Sequence, residues 1–492
     1  MAKIIFIEPK SPNLHIFSIF KLPRLGIFIL GSLMKQRGWD TEVYVEDMEP
    51  LEWERFETAD IIALSTISST APRAYVIADN ARRKKIPVIM GGPHVTFQTE
   101  EALEHSDFVI RGEGERALMQ FIDVWESRGD YRTVPNLSFK HQSQIIHNPL
   151  SPLEPDLDTY PVPDFSLYSG KADIINKNKT IPIQISRGCP FNCSFCSVTP
   201  IFGKKYRCRS VENILSELRQ YQHKSHNIFF YDDNFAANPR HTRDLMEAMI
   251  RENFSFQWSA QVRADVTRDP ELVKLMKKAG CHTLYIGFES INPLSLKAMK
   301  KNQKPGDISR AIRVLQKHRI HIHGMFVLGF DEDNWATIKK TVAFARQSNL
   351  TSVQFLILTP LPGTDFFQDM IRQNRIQFLD WSLYDAHHVV FKPKNFTMAE
   401  LQYAQIYCHK KFYSRLQKLK KMLFGNHIGV FINIYARRLN RTWKKRNRIF
   451  LKTLELLKPN QIADIIIDYR EKISLNWRDH FQFNKSINKK NQ

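Results

Sequence analysis

A chain of 492 residues with 43% hydrophobic and 25% charged side chains is long enough for two or three domains, each with its own core. It opens MAKIIFIEPK, which lacks the hydrophobic region and small-residue cleavage site of a signal peptide, and it has no run of about 18 apolar residues to span a bilayer. The net charge of +21 is uneven, since residues 401–492 hold 21 Lys and Arg against 5 Asp and Glu. The bulk of the chain is nearly balanced, and the basic end favours a phosphate-bearing partner such as an anionic membrane or a nucleic acid. The expected compartment is the cytoplasm, with a peripheral position at the inner face of the membrane if the basic end docks there.

Over the first 115 residues short apolar runs (KIIFI, TEVYV, DIIALS, PVIMGG, DFVIRG) alternate with stretches at helical spacing. The alternation predicts a five-stranded parallel sheet with crossover helices, a flavodoxin-like doubly wound α/β domain over residues 1–145. Ligands of such sheets bind at the carboxyl ends of the strands. Three ends stand out: Ser65-Thr66 with Ser68-Ser69, Gly91-Gly92-Pro93-His94, and Gly112-Glu113-Gly114-Glu115. Glycine there lets a backbone approach a large ligand closely. Residues 146–179, with four prolines in LSPLEPDLDTYPVPD, read as a linker.

From residue 180 to about 375 a second alternation begins, with strand candidates IPIQIS, NIFFYDD, FQWSAQ, TLYIGFES, HIHGMFVLGF and SVQFLILTP. Six βα units suggest an open partial (β/α)6 barrel, whose active site sits at the carboxyl ends of its strands. Residues 376–492 read as a basic, mainly helical region, with helices over about 401–422 and 447–457 and a short apolar run, NHIGVFINIY, that is either a buried helix or strand or an element meeting lipid headgroups.

The first barrel strand runs straight into ISRGCPFNCSFC, where three of the six cysteines stand within eight positions. Neighbours this close make a poor disulfide framework, and a shared metal centre is the better reading. A structural zinc would want a fourth protein ligand, usually in a second pair, and Cys208, Cys281 and Cys408 are not paired in that way. Cys189, Cys193 and Cys196, spaced C-x3-C-x2-C, leave one coordination position for a group that is not protein.

RGCPFNCSFC resembles the cluster loop of the radical S-adenosylmethionine (SAM) enzymes, and the LGFDED and LPGT turns extend the similarity over residues 180–375. The resemblance implies a 4Fe-4S cluster on the three cysteines and SAM on the fourth iron. It also implies reductive cleavage of SAM to a 5′-deoxyadenosyl radical and an electron donor such as flavodoxin or ferredoxin. By the same resemblance Phe195 packs near the adenine, Asp232 and Asp233 lie by the SAM amino group or the substrate, and Ser259, Arg263 and Glu289 contact the ribose and carboxylate. GGPH and RGEGE resemble the strand ends of the cobalamin-binding domain that precedes this barrel in the cobalamin-dependent class. That implies cobalamin contacts at Ser65, Ser69, Gly91, Gly92, Pro93, His94, Gly112 and Glu113, with His94 as a loop residue beside the corrin. The D-x-H-x-x-G motif is absent, and His15 does not sit in one, so a lower histidine ligand to cobalt is not expected.

DWSLYDAHHVVFKP and FTMAEL resemble the helical extension of the subgroup containing hopanoid methylases. This implies C-methylation of a small-molecule or lipid substrate, with residues 380–393 near the barrel mouth and His387 and His388 as candidate substrate contacts or ordinary surface histidines. The alternative is a cobalamin-dependent radical cyclase or rearranging enzyme of the tetrapyrrole-ring type, and more distant is a non-catalytic cobalamin sensor. A tRNA methylthiotransferase would carry three further cluster cysteines in residues 1–180, which hold none. Without an aromatic-rich single-strand motif, nucleic acid is not the expected partner.

Overall fold

The computed structural model describes residues 1–13, 22–170, 180–222, 226–423 and 425–457. His15, part of the linker and the basic tail beyond residue 457 lie outside the described residues. The first sheet carries the five expected parallel strands, β1 (Lys3–Glu8), β2 (Asp40–Val45), β3 (Ile61–Ser65), β4 (Val88–Gly91) and β5 (Phe108–Ile110), in the order 2-1-3-4-5. Val, Ile and Leu fill these strands on both faces, because helices cover the sheet on both sides. The sheet is wider than the five strands expected. A hairpin, β6 (Leu137–His141) and β7 (Gln144–His147), adds two antiparallel strands beyond β5. Its two turn residues, Gln142 and Ser143, both have positive φ (48° and 66°), the signature of a tight primed turn. Neither is glycine or asparagine, so the turn left no sequence signal.

The second sheet consists of β8 (Thr180–Ile183), β9 (Asn227–Phe230), β10 (Trp258–Val262), β11 (Cys281–Glu289), β12 (His321–Leu328) and β13 (Ser352–Ile357). All six are parallel and adjacent in chain order, the open barrel expected. One parity of side chains, including Ile228, Phe230, Trp258, Ala260, Leu284, Ile286 and Phe326, is buried under the helices. The other parity faces the lumen, and Phe229, Tyr231, Ser259, Gln261, Tyr285, Met325 and Leu356 are only half-buried. The lumen is therefore open, and rich in aromatic surface.

The C-terminal region is helical: α1 (Met398–Phe412), α2 (Arg415–Leu423), α3 (His427–Arg446) and α4 (Arg448–Leu456). The single helix expected over 401–422 breaks after Phe412. Buried Tyr413 there turns inward, where its hydroxyl donates to the Val353 carbonyl (2.6 Å) and accepts from the Val353 N–H (2.9 Å). NHIGVFINIY resolves as the start of α3. Among the described residues no helix is long and apolar enough to cross a membrane.

Lys421 of α2 is buried at the foot of the barrel, its Nζ donating to the Thr351 carbonyl at 2.6 Å. Burial lowers its pKa to about 8. A lysine with a lowered native pKa leaves the unfolded chain holding more protons, so its effect is to make stability rise with pH between about 8 and 10.5. Unfolding by urea at pH 7.5 and 9.5 should show a rise of roughly 1–3 kcal/mol in the native protein relative to Lys421→Met, in which this component is absent.

Candidate active site

Past β8 the chain forms a short antiparallel pair, Ser186–Arg187 with Arg207–Cys208, and the cysteine loop is the excursion between them. Gly188 opens the loop with φ +87°, and a Cβ there would lie 2.4 Å from the Lys205 carbonyl, so only glycine fits. The loop is pinned by its backbone: Ser194 N–H donates to the Met299 carbonyl (3.1 Å), Phe366 N–H to the Ser194 carbonyl (2.9 Å), and Cys196 N–H to the Cys193 carbonyl (3.1 Å). Cys189, Cys193 and Cys196 are free and half-buried. Burial pushes the Cys189 thiol up and that of Cys196 to about 12, and the charges of Cys193 and Asp233 act in the same direction. Thiols so placed gain most from a cation that takes over their charge.

Arg263, at the end of β10, stacks its guanidinium on the Phe191 ring (3.6 Å to the centroid) and sets Nη1 4.0 Å from the Cys193 sulfur. Its Nη2 donates to the Lys301 carbonyl (2.6 Å), and Lys301 Nζ pairs with Glu289 Oε1 at 2.8 Å in a buried ion pair. Glu289 follows a β-bulge and holds φ +58°, a strained conformation for a glutamate that concentrates at functional sites. The structure thus joins two of the expected SAM contacts, Arg263 and Glu289, to the cysteine loop through Lys301. Within the run KAMKKNQKP that lysine looks like any solvated base.

Asp233 stands open to solvent in a recess where the surrounding protein raises its pKa to about 6, and its charge acts on Cys189, Cys196 and Tyr231. Asp232 differs from the expectation: it is fully buried and accepts from Ser186 Oγ (2.5 Å) and the Ile185 N–H (3.2 Å), tying the loop's first strand to β9. Ser259 also differs. It pairs in register with Phe229 and Thr283 deep in the lumen, four residues and about 13 Å below Arg263, because the strand runs on to Val262. Phe195 packs edge-on against Phe330 at 6.0 Å. Asp333 shapes that turn by accepting from the Gly329 and Phe330 N–H groups (3.0 and 3.1 Å).

Glu113 and Glu115, at the end of β5, reach across to the barrel. Arg187, two residues before Cys189, pairs with Glu115 at 2.5 Å and Glu113 at 3.4 Å, and Arg207 pairs with Glu113 at 2.7 Å. All four side chains are at least nine-tenths buried. Burial raises Glu115, yet the Arg187 guanidinium outweighs it and holds that carboxyl below its ordinary range. Glu113 was expected against cobalamin; its carboxylate is instead committed to two guanidiniums, which lock the cysteine loop to the first domain. Charge-paired arginines this far apart in sequence carry no local pattern.

The other strand ends divide in the same way. His94 is 1% exposed rather than a loop residue at a ligand surface. Its ring nitrogens meet Ser68 Oγ (3.3 Å) and Tyr75 Oη (3.1 Å), and Trp381 from the extension packs on it at 4.9 Å while donating to Glu101. Gly92 (φ +100°) is required by its own chain, since a Cβ would meet the Thr66 carbonyl at 2.5 Å, and Pro93 begins the short helix Pro93–Phe97. Gly112 and Gly26 leave open space where a Cβ would stand, and Gly91 is nearly as open. Ser65 lends its carbonyl to the Arg24 guanidinium (2.9 Å), Ser69 is buried, and Ile67 between them is 38% exposed. The carboxyl ends of β3, β4 and β5 thus carry an exposed Ile67 and two glycines, Gly91 and Gly112, with no close neighbour where a side chain would stand.

The extension closes over β13, with the Ile357 N–H donating to the Ala386 carbonyl (2.8 Å). His388 is not a surface residue: its Nδ1 faces Asp385 (2.9 Å) and its Nε2 Asn447 (2.9 Å), between Trp443 and Phe450. His387 is buried as well, against Gln405. Both histidines join the extension to the terminal helices.

Among the described residues no three His, Cys, Asp or Glu side chains converge as a single metal ion requires. A cluster spreads its thiolates over separate irons, and three free thiols on one pinned loop fit it, as the open glycine edge fits a corrin. Residues 183–345 match the Radical SAM superfamily and residues 19–122 the B12 binding domain. The chain is 30% identical over 438 residues to an uncharacterized methyltransferase of Pyrococcus horikoshii, covering 86% of this chain and 94% of that one. It is 31% identical to the bacteriochlorophyllide d C-12(1)-methyltransferase of Chlorobaculum tepidum (75% and 77% covered) and 26% identical to the hopanoid C-3 methylase of Methylococcus capsulatus (87% and 81%). Among solved structures, the cobalamin-dependent S-adenosylmethionine radical enzyme OxsB with aqua-cobalamin bound shares the fold, with a TM-score of 0.67 at 16% identity over 91% of this chain and 75% of that one.

Proposed function

The chain belongs to the radical SAM enzymes that carry a B12-binding domain, and on that premise we propose that it methylates an unactivated carbon of a large apolar molecule such as a lipid. When bound, the cluster and SAM supply a 5′-deoxyadenosyl radical and cobalamin carries the methyl group. Cys189, Cys193 and Cys196 would hold the cluster, with Arg263 and Phe191 fixing the loop that bears them. Asp233 and the Glu289–Lys301 pair would orient SAM at the strand ends. Phe229, Tyr231, Tyr285, Met325 and Leu356 give the lumen an apolar wall for the substrate, and residues 380–393 exclude water above it. In this reading the chain works peripherally at the inner face of the membrane, with a flavodoxin or ferredoxin as electron donor.

The observation that carries the reading is the buried Arg187–Glu115 contact, which brings the cysteine loop against the glycine-edged strand ends of the first domain. Protein reconstituted anaerobically with iron, sulfide and hydroxocobalamin, then given SAM, a strong reductant and a lipid extract, is expected to form both 5′-deoxyadenosine and S-adenosylhomocysteine. Formation of 5′-deoxyadenosine without S-adenosylhomocysteine would replace methylation by cyclisation or rearrangement. Absence of both would remove the radical reading.

A further inference from the structure

The terminal helices α2 and α3 form an antiparallel hairpin about Gly425. Residues equally distant from the turn come level, so Leu416 and Leu419 of α2 stand beside Ile434 and Phe431 of α3, with Met422, Leu423 and Ile428 at the tip. These seven side chains are 55%, 51%, 55%, 64%, 53%, 77% and 41% exposed in that order. A solvated helix seldom spends so many large apolar groups on its outer face. Further along α3 the same helical spacing continues as Arg438, Arg441 and Lys445, all exposed. From residue 401 to residue 454 the chain holds fourteen Lys and Arg and no Asp or Glu.

We propose that this hairpin is a membrane-docking element, its apolar tip entering the headgroup layer of an anionic bilayer while the flanking bases meet lipid phosphates. An apolar face bordered by bases is complementary to that surface in both respects. A nucleic acid would take the charge but leave the leucines and Phe431 unpaired. A second copy of the chain would cover the apolar face but set two strongly basic surfaces against each other. Residues 458–492 are themselves net positive, with seven Lys and Arg against four Asp and Glu. The proposal specifies the contact in the peripheral part of the functional reading and does not depend on methyl transfer.

The test uses the full chain without cofactors and vesicles of phosphatidylcholine with or without phosphatidylglycerol. Wild type is expected to sediment with the anionic vesicles and not the neutral ones, and Leu423→Asp/Phe431→Asp to bind them about tenfold or more weakly. Both positions are exposed, so circular dichroism should not change. In Phe431→Trp the tryptophan emission should shift to the blue on adding anionic vesicles. Wild-type binding that survives the double substitution, with no blue shift, would overturn the hairpin's role while leaving a peripheral protein. Failure of wild type to bind either vesicle would overturn the peripheral reading itself, as would preferential binding to RNA or a dimer abolished by the same substitutions.

Discussion

Cys193→Ala protein, purified without oxygen and reconstituted with iron and sulfide, is expected to produce no 5′-deoxyadenosine above the buffer background under conditions in which wild type does, and to retain less iron. The substitution removes the thiol that stands against Arg263 at the middle of the loop, leaving two of three sulfur donors. The loop itself should persist, because it is held by the backbone bonds of Ser194, Cys196 and Phe366 and by the left-handed turn at Gly188, none of which involves the Cys193 side chain. A half-buried thiol exchanged for a methyl group away from the core is expected to change stability by no more than about 1 kcal/mol. Activity and iron content are therefore predicted to fall together, while the thermal transitions of the two proteins measured before reconstitution coincide. Retained SAM cleavage would exclude these cysteines as the cluster ligands.

Arg187→Ala is expected to have the largest effect on stability, a loss of about 3–5 kcal/mol at pH 7, because it leaves Glu113 and Glu115 buried without their shared guanidinium. The pH dependence has a defined sign. The native pKa of Glu115 is depressed, so its contribution is present above the unfolded carboxylate value and is lost as pH falls through the native one. Urea unfolding of wild type and variant should differ most near neutrality and converge only as pH falls below the ordinary carboxylate value of 4.5. The lock spans two domains, so the variant should also unfold in two steps, the first domain separating from the barrel. A difference below about 1 kcal/mol at pH 7 would show that the packing of Phe97 against Gly363 and of Trp381 against His94 joins the domains without the ion pairs.

The sequence by itself determined the two α/β layers, because Val, Ile and Leu runs of strand length alternating with helical spacing leave a parallel sheet as the arrangement that buries both faces. It also determined the cysteine loop, since the three cysteines are neighbours in the chain and their spacing is local information. The tertiary structure alone decided what the polar strand-end residues do. Glu113, His94 and Asp232 resemble ligand contacts when seen only with their neighbours, but a buried polar group takes whatever partner the fold delivers, and theirs come from Arg207, Tyr75 and Ser186. Lys301 and Arg187 carry no local signal for the same reason, because their charges acquire meaning only opposite Glu289 and Glu115, brought near by the barrel's curvature and the docking of the two domains. The exposure of Phe431 and Leu423 was likewise undecided, since the periodicity of a helix fixes which side chains share a face but not whether another element covers it.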